Sequence, residues 1–249
     1  MTTVVVIGDV GGCSAELARV LEPLIGVPDT VVVQVGDLVD RGPDTPGVLR
    51  IVEQRLAQGS PRWIQLLGNH EAPYVGGEPF WPEPLSASDG RLLERWWLTE
   101  RLRVAAAVRT GAGEDFLITH AGLSPAVWRD LGGPVSAATA AELLNTRPEP
   151  LLWGCGGPLW VEPPELYGGW LAEWMPFSQI HGHSAIVSYR HESWMCEERI
   201  RQRSTVDWAA RRTQTRVGGG RFIAVDPKHG RTGAVRWSPL VIEDARLLV

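Results

Sequence analysis

Three segments near the N-terminus repeat one pattern. Each is a short apolar run, rich in β-branched residues, that ends at a glycine followed by a polar residue: residues 4–9 (VVVIGD), 31–37 (VVVQVGD) and 63–69 (WIQLLGN). Unbroken runs of this kind suit strands buried on both faces. Helical periodicity follows the first run over 14–24, with Ser14 as its N-cap, and the second over 46–58. Strand, helix, strand, helix, strand predicts a parallel sheet with right-handed crossovers.

Beyond this frame the pattern predicts an amphipathic helix over 88–101 carrying Trp96 and Trp97. Strands over 104–109 and 115–120 follow, joined by a turn at 111–114, then a helix over 136–145. Residues 148–176, rich in Pro, Gly and Trp, read as a loop or cap, and 177–182 as another short strand. A closing hairpin is expected from 222–226 and 234–237 around 228–230. Residues 188–218 hold seven arginines against four acids and read as an Arg-rich insertion, helical or partly mobile. With no internal repeat, the whole of 1–249 is read as one domain.

Composition narrows the class. A formal net charge of −5 gives no sign of a nucleic-acid partner. The basic residues are arginines except for one lysine, Lys228. Cys13, Cys155 and Cys196 are far apart and odd in number, as expected in a reducing cytosol. The start, MTTVVVIGDV, has neither a basic region nor a cleavage site, and no apolar run reaches membrane-span length, so a cytoplasmic protein without a membrane partner is expected.

The chemistry gathers where the strands end, which is where ligands bind in open α/β sheets. Asp9, Asp37 and Asn69 each follow an apolar run and a glycine, while His120 and His183 end or follow later strands. One such Asp is as well explained as a helix cap. Five oxygen and imidazole donors in this order point to a metal site, of a kind suited to Mn²⁺, Fe or Zn²⁺ more than to Ca²⁺.

The motifs GDLVDRG (36–42), GNHE (68–71), HAG (120–122) and GH (182–183) resemble, in order, the signature of calcineurin-like metallophosphoesterases. The likeness is to the phosphoprotein-phosphatase branch, which includes serine/threonine protein phosphatases and diadenosine tetraphosphatases, and it covers residues 4–184. It implies an α/β fold with a central β-sandwich flanked by helices. It also implies one or two divalent ions per chain, Mn²⁺ first among them. By this resemblance Asp37 bridges two metals, Asn69, His120 and His183 complete the coordination of the second metal, and Asp9 binds the first metal. His70 is the general acid, oriented by Asp40, and Arg41 grips the phosphate. The implied reaction is attack of a metal-activated water on a phosphate monoester, with a phosphoprotein as one possible substrate. The alternative substrate is a dinucleoside polyphosphate or another nucleotide.

The chain departs from the pattern at the first metal. The family motif G-D-x-H-G reads GDVGG here, with Gly11 in place of its His, and Ala185 stands where many relatives have a second one. Cys13, His181 or a water could substitute, the first site could be weak, or the protein could be a weakly active or inactive phosphate binder. Cys13 is favoured as a bystander. No Arg lies between Trp170 and His181 to serve as a further phosphate ligand, leaving Arg147 or an Arg of 190–216. The Trp-rich segment is read as packing in preference to a nucleobase wall.

Overall fold

The computed structural model describes residues 2–57, 63–229 and 235–249. Strand β1 (Thr2–Ile7) leads to helix α1 (Ser14–Leu21), β2 (Thr30–Gln34), α2 (Thr45–Ala57) and β3 (Trp63–Leu66). The three strands pair in parallel, as their apolar runs predict. α1 is capped at Cys13, not Ser14, whose hydroxyl instead bonds the Asp44 carboxylate. The expected end of α2 at Gln58 lies outside the described residues.

Helix α3 (Ala87–Leu98) follows, then β4 (Leu102–Arg103), β5 (Ala105–Arg109) and β6 (Asp115–Thr119). Helices α4 (Pro125–Asp130) and α5 (Ala137–Asn145) come next. Ser86, Ser124 and Ser136 cap α3, α4 and α5 by accepting backbone N–H bonds. Within 148–176 lie two helices, α6 (Glu149–Leu152) and α7 (Pro163–Ala172). Tyr167 and Trp170 of α7 are fully buried, so this segment is packing, although Trp174 is exposed.

After β7 (Ser178–His181) the chain departs from expectation. Residues 188–218 carry strands joined by turns: β8 (Val187–Ser188) pairs with β9 (Ser193–Trp194), a single turn α8 (Glu198–Arg201) follows, and β10 (Ser204–Asp207) and β11 (Arg212–Val217) form an antiparallel pair. Thr213 and Thr215 point inward while Arg212 and Arg216 alternate outward, a period of two that the arginines disguise. The hairpin expected at 222–237 does not form. β12 (Gly220–Ala224) pairs with β11 and β7, Ala234 lies outside the described residues, and 235–239 is not strand. The final strand β13 (Leu240–Leu247) pairs instead with β1 and β5.

The strand order is β10-β11-β12-β7-β6-β5-β13-β1-β2-β3-β4. β13 joins two halves that face each other across one apolar layer: Val4, Val6, Val33 and Leu66 meet Val108, Phe116, Ile118 and Ile180. α1, α2 and α3 cover the outer face of one half, and α5 covers that of the other. This is the expected sandwich flanked by helices. It sets the carboxyl ends of β1, β2, β3, β6 and β7 along one edge.

Candidate functional site at the strand ends

All eight expected residues lie in loops that leave those strand ends. Asp9, Asp37, Asn69, His70 and His120 are buried almost completely. The loops cross so closely that only glycine fits: a Cβ on Gly36 would stand 2.4 Å from the Gly68 nitrogen, and one on Gly182 2.2 Å from Asp9 Oδ1. Asp37, Asp40, Arg41 and His183 all adopt positive φ, between 53° and 66°. Backbone strain of this kind costs on the order of 1–3 kcal/mol per residue and concentrates at functional sites.

Glu71, the last residue of the GNHE motif, holds these loops. Its carboxylate accepts N–H bonds from Asp37 (2.9 Å), Leu38 (2.8 Å), Val39 (3.3 Å) and Gly68 (2.9 Å). Burial and the charge of Asp37 push its pKa up to about 7, and the N–H donors pull against them. Nothing local in the sequence assigns Glu71 a task beyond its place in the GNHE motif, because its partners come from separate loops.

Asp9, Asp37 and His120 place their donor atoms within 4.8 Å of one another. His120 settles whether a cation fits there. Its Nδ1 lies 2.9 Å from the Val35 carbonyl, which can only accept, so the proton resides on Nδ1. Burial pushes the pKa of this imidazole down to about 4, and it is neutral. Nε2 therefore presents a lone pair to Asn69 Oδ1 at 2.8 Å and Asp37 Oδ1 at 3.3 Å. The Nε2 lone pair and the Asp37 carboxylate, two acceptors facing each other, are reconciled by a shared cation. Asp37 Oδ2 is buried without a hydrogen bond, while His183 Nε2 lies 3.5 Å from the Glu162 carboxylate and His183 Nδ1 3.0 Å from Asn69 Oδ1. Burial opposes charge on Asp37, but His120, His70 and Arg41 hold its carboxyl well below the usual range. Burial, Asp226 and Asp37 push Asp9 the other way, well above it. The donor set fits a divalent ion.

His70 stands at the other side. Its Nδ1 is 2.7 Å from Asp40 Oδ2, its Nε2 is 2.9 Å from Arg41, which donates, and its backbone N–H donates to Asp37 Oδ1 at 3.1 Å. Burial lowers the pKa of His70, but Asp37 and Asp40 outweigh it and leave it raised. The ring packs against Phe80 and Trp81, with centroids 5.0 and 4.9 Å away. Beside it opens a cavity of about 270 Å³ lined by Asp40, Arg41, Thr45, Trp81 and Glu83 among others. Phe80 and Trp81 were not foreseen, since nothing in their pattern separates them from ordinary packing.

The suggested substitutes at the first metal point elsewhere. His181 has both ring nitrogens engaged, with Tyr167 Oη at 2.8 Å and the Gly182 carbonyl at 2.9 Å. Cys13 turns its thiol to the Gly11 carbonyl at 3.5 Å. Arg147, suggested as a further phosphate ligand, stacks on Trp97, 3.6 Å from the ring centroid, and does not join the site. Lys228 arrives instead, a residue to which the sequence assigned no role. Its ammonium lies 3.0 Å from Asp226 Oδ2 and donates to the His183 carbonyl at 2.9 Å.

Three comparisons show which known proteins this chain resembles. A protein from Paracidovorax citrulli named bis(5'-nucleosyl)-tetraphosphatase, symmetrical, is 36% identical over 130 residues, 48% of this chain and 44% of that protein. One of the same name from Pectobacterium atrosepticum is 32% identical over 180 residues, 68% of this chain and 57% of that protein. The chain thus spans about half the length of the curated relatives it matches. A crystal structure of a mutant cold-active protein tyrosine phosphatase shares the fold, with TM-score 0.58, 18% identity, and coverage of 99% of this chain and 77% of that one. The profile of the calcineurin-like phosphoesterase family matches residues 2–200. The chain belongs to that family.

Proposed function

We propose that the protein hydrolyses a nucleotide substrate, a dinucleoside polyphosphate in the first place, at the strand-end site. The observation that carries the reading is the placement of the His70–Asp40 pair against Asp37, with His70 Nε2 3.8 Å from Asp37 Oδ2. That puts a proton donor next to the cation-binding group, as phosphoryl transfer requires. Asp37, Asn69, His120 and His183 would hold the ion, with Asp9 facing it. When bound, a divalent ion polarises phosphoryl oxygens and lowers the pKa of water towards about 7. Mn²⁺ is the proposed ion, suited to mixed oxygen and imidazole donors.

Each residue of the chain then has a task. Arg41, a planar fork of donors, leaves His70 Nε2 for a phosphate oxygen. Nε2 is thereby free to carry the proton that the departing oxygen takes as the P–O bond breaks. Asp40 keeps the ring oriented. Phe80 and Trp81 offer faces on which a base can stack, at a typical gain of about 1–3 kcal/mol per base. The nucleotide reading is preferred to a phosphoprotein because the relatives bear nucleotide-directed names. Among the described residues no helix is long and apolar enough to cross a membrane, and the three cysteines are unpaired. A reducing cytoplasm is the proposed setting.

The test is a substrate panel for the Mn²⁺-loaded protein: diadenosine tetraphosphate, p-nitrophenyl phosphate and a phosphoserine peptide, with products resolved by chromatography. Turnover of the dinucleotide is expected. Rapid peptide dephosphorylation with the dinucleotide untouched would overturn the nucleotide reading, and no turnover of any of the three would favour a phosphate-binding role.

A further inference from the structure

The site accounts for one divalent ion better than for two. Gly11 and Ala185 supply no imidazole to the first position, and the alternatives, Cys13 and His181, face away from it. Crowding does not explain the missing side chain at Gly11, since a Cβ there would meet nothing nearer than 3.8 Å. Its φ of +49° does favour glycine, although His is among the residues that tolerate this region.

Near that end of the site stands an ammonium group, joined to Asp9 through His183, whose N–H donates to Asp9 and whose carbonyl accepts from Lys228. Asp226 is buried, 1% exposed, and its Oδ1 accepts the backbone N–H of Lys228 at 2.7 Å. The Lys228 ammonium is 3.0 Å from Asp226 Oδ2, bonds the His183 carbonyl, and acts electrostatically on Asp9 as well. Lys228 is held at φ +53°, a conformation glycine would adopt without strain. A chain that uses arginine for every other basic position thus places its one lysine where a side chain costs conformational energy. A compact ammonium can take the place of a metal ion between carboxylates, whereas a planar guanidinium demands more room.

We infer that Lys228 is a built-in cation that takes the place of a second metal at the Asp9–Asp226 end of the site, leaving the chain to bind one divalent ion in the Asp37–His120 group. The inference rests on the metal-site reading proposed above and adds a stoichiometry to it.

The test counts ions and does not depend on activity. Metal-free protein is titrated with Mn²⁺ by calorimetry, desalted and analysed for metal, and its electron paramagnetic resonance spectrum is recorded at saturation. The wild type is expected to retain about one ion per chain with the spectrum of an isolated Mn²⁺. Lys228→Met, which keeps the chain length and removes the charge, is expected to take up a second ion and develop a spin-coupled spectrum. Two ions or a coupled spectrum in the wild type would overturn the inference and leave the metal-site reading standing. A Lys228→Met protein that still binds one ion would overturn it too. No binding by the wild type would sink the metal-site reading itself, and the inference with it. Should Lys228→Met fail to fold, Lys228→Gln repeats the count, and the wild-type spectrum decides by itself between one ion and two.

Discussion

Glu71 provides a sharp test of how the site is held. Glu71→Gln preserves shape and volume but converts one carboxylate oxygen into an NH₂. In the native arrangement Oε1 receives the Leu38 and Val39 N–H groups, and Oε2 receives those of Asp37 and Gly68. Whichever way the amide turns, two backbone donors face a donor. Leaving a buried donor unsatisfied costs about 1–3 kcal/mol, so the substitution is expected to cost roughly 2–6 kcal/mol. For a chain of this size that corresponds to a fall in melting temperature of roughly 5–20 °C. The loops affected carry Asp37 and Asn69, so metal retention should fall together with stability. Thermal denaturation and metal analysis of the purified variant measure both. A variant that melts within about 2 °C of the wild type and keeps its metal would refute the clamp, since a shift that small leaves room for less than one lost hydrogen bond.

Other perturbations separate the remaining roles. Asp37→Asn removes the carboxylate that faces the His120 lone pair and should nearly abolish metal retention and hydrolysis; wild-type metal content and rate in this variant would sink the site assignment. His70→Ala should keep metal, because His70 touches Asp37 Oδ1 through its backbone N–H, yet lose about 10²–10⁴ in rate on an alkyl phosphate. The loss should be smaller on p-nitrophenyl phosphate, whose leaving group needs less protonation, and equal losses would count against a proton donor. His229 concerns stability. Burial holds its pKa below the ordinary value, Arg211 and Arg41 act the same way, and Asp226 and Glu16 oppose them. Below about pH 6.5 the unfolded chain takes up a proton that the folded one resists, so stability should decline as pH falls through that value. Melting curves from pH 7.5 to 5 should show a shallower decline for His229→Gln, and parallel curves would disprove the linkage.

The parts legible from sequence were those written locally. Val4–Ile7 and the matching runs before Asp37 and Asn69 declare their strands by composition, and the glycine–polar step marks the turn into the site. β10 and β11 were hidden because their outward positions are polar, Thr205 and Asp207 in β10 and Arg212, Gln214 and Arg216 in β11, and raise the polarity of the whole stretch. β13 has partners at the far end of the chain, and nothing local announces that it will pair with β1. Glu71 and Lys228 were illegible for a related reason. Each is defined by what it touches, the Asp37 turn for one and Asp226 with the His183 carbonyl for the other, and those contacts exist only after the loops converge.

The charges of the site can be followed one by one once these contacts are known. Isolated buried carboxylates are unaffordable in a low-dielectric interior, so each needs an answer. Glu71 is answered by four backbone N–H groups, Asp226 by Lys228, and Asp40 by the Nδ1 proton of His70. Among the described residues Asp9 accepts only the His183 N–H, and Asp37 leaves Oδ2 without any hydrogen bond. The carboxyl groups left without a close counter-charge are thus Asp9 and Asp37, and burial with the neighbouring charges of Asp226 and Asp37 holds the Asp9 pKa up in the absence of a cation. One divalent ion neutralises that pair. A second would have to share the space with the Lys228 ammonium and face like-charge repulsion, which is severe at close range in a buried site.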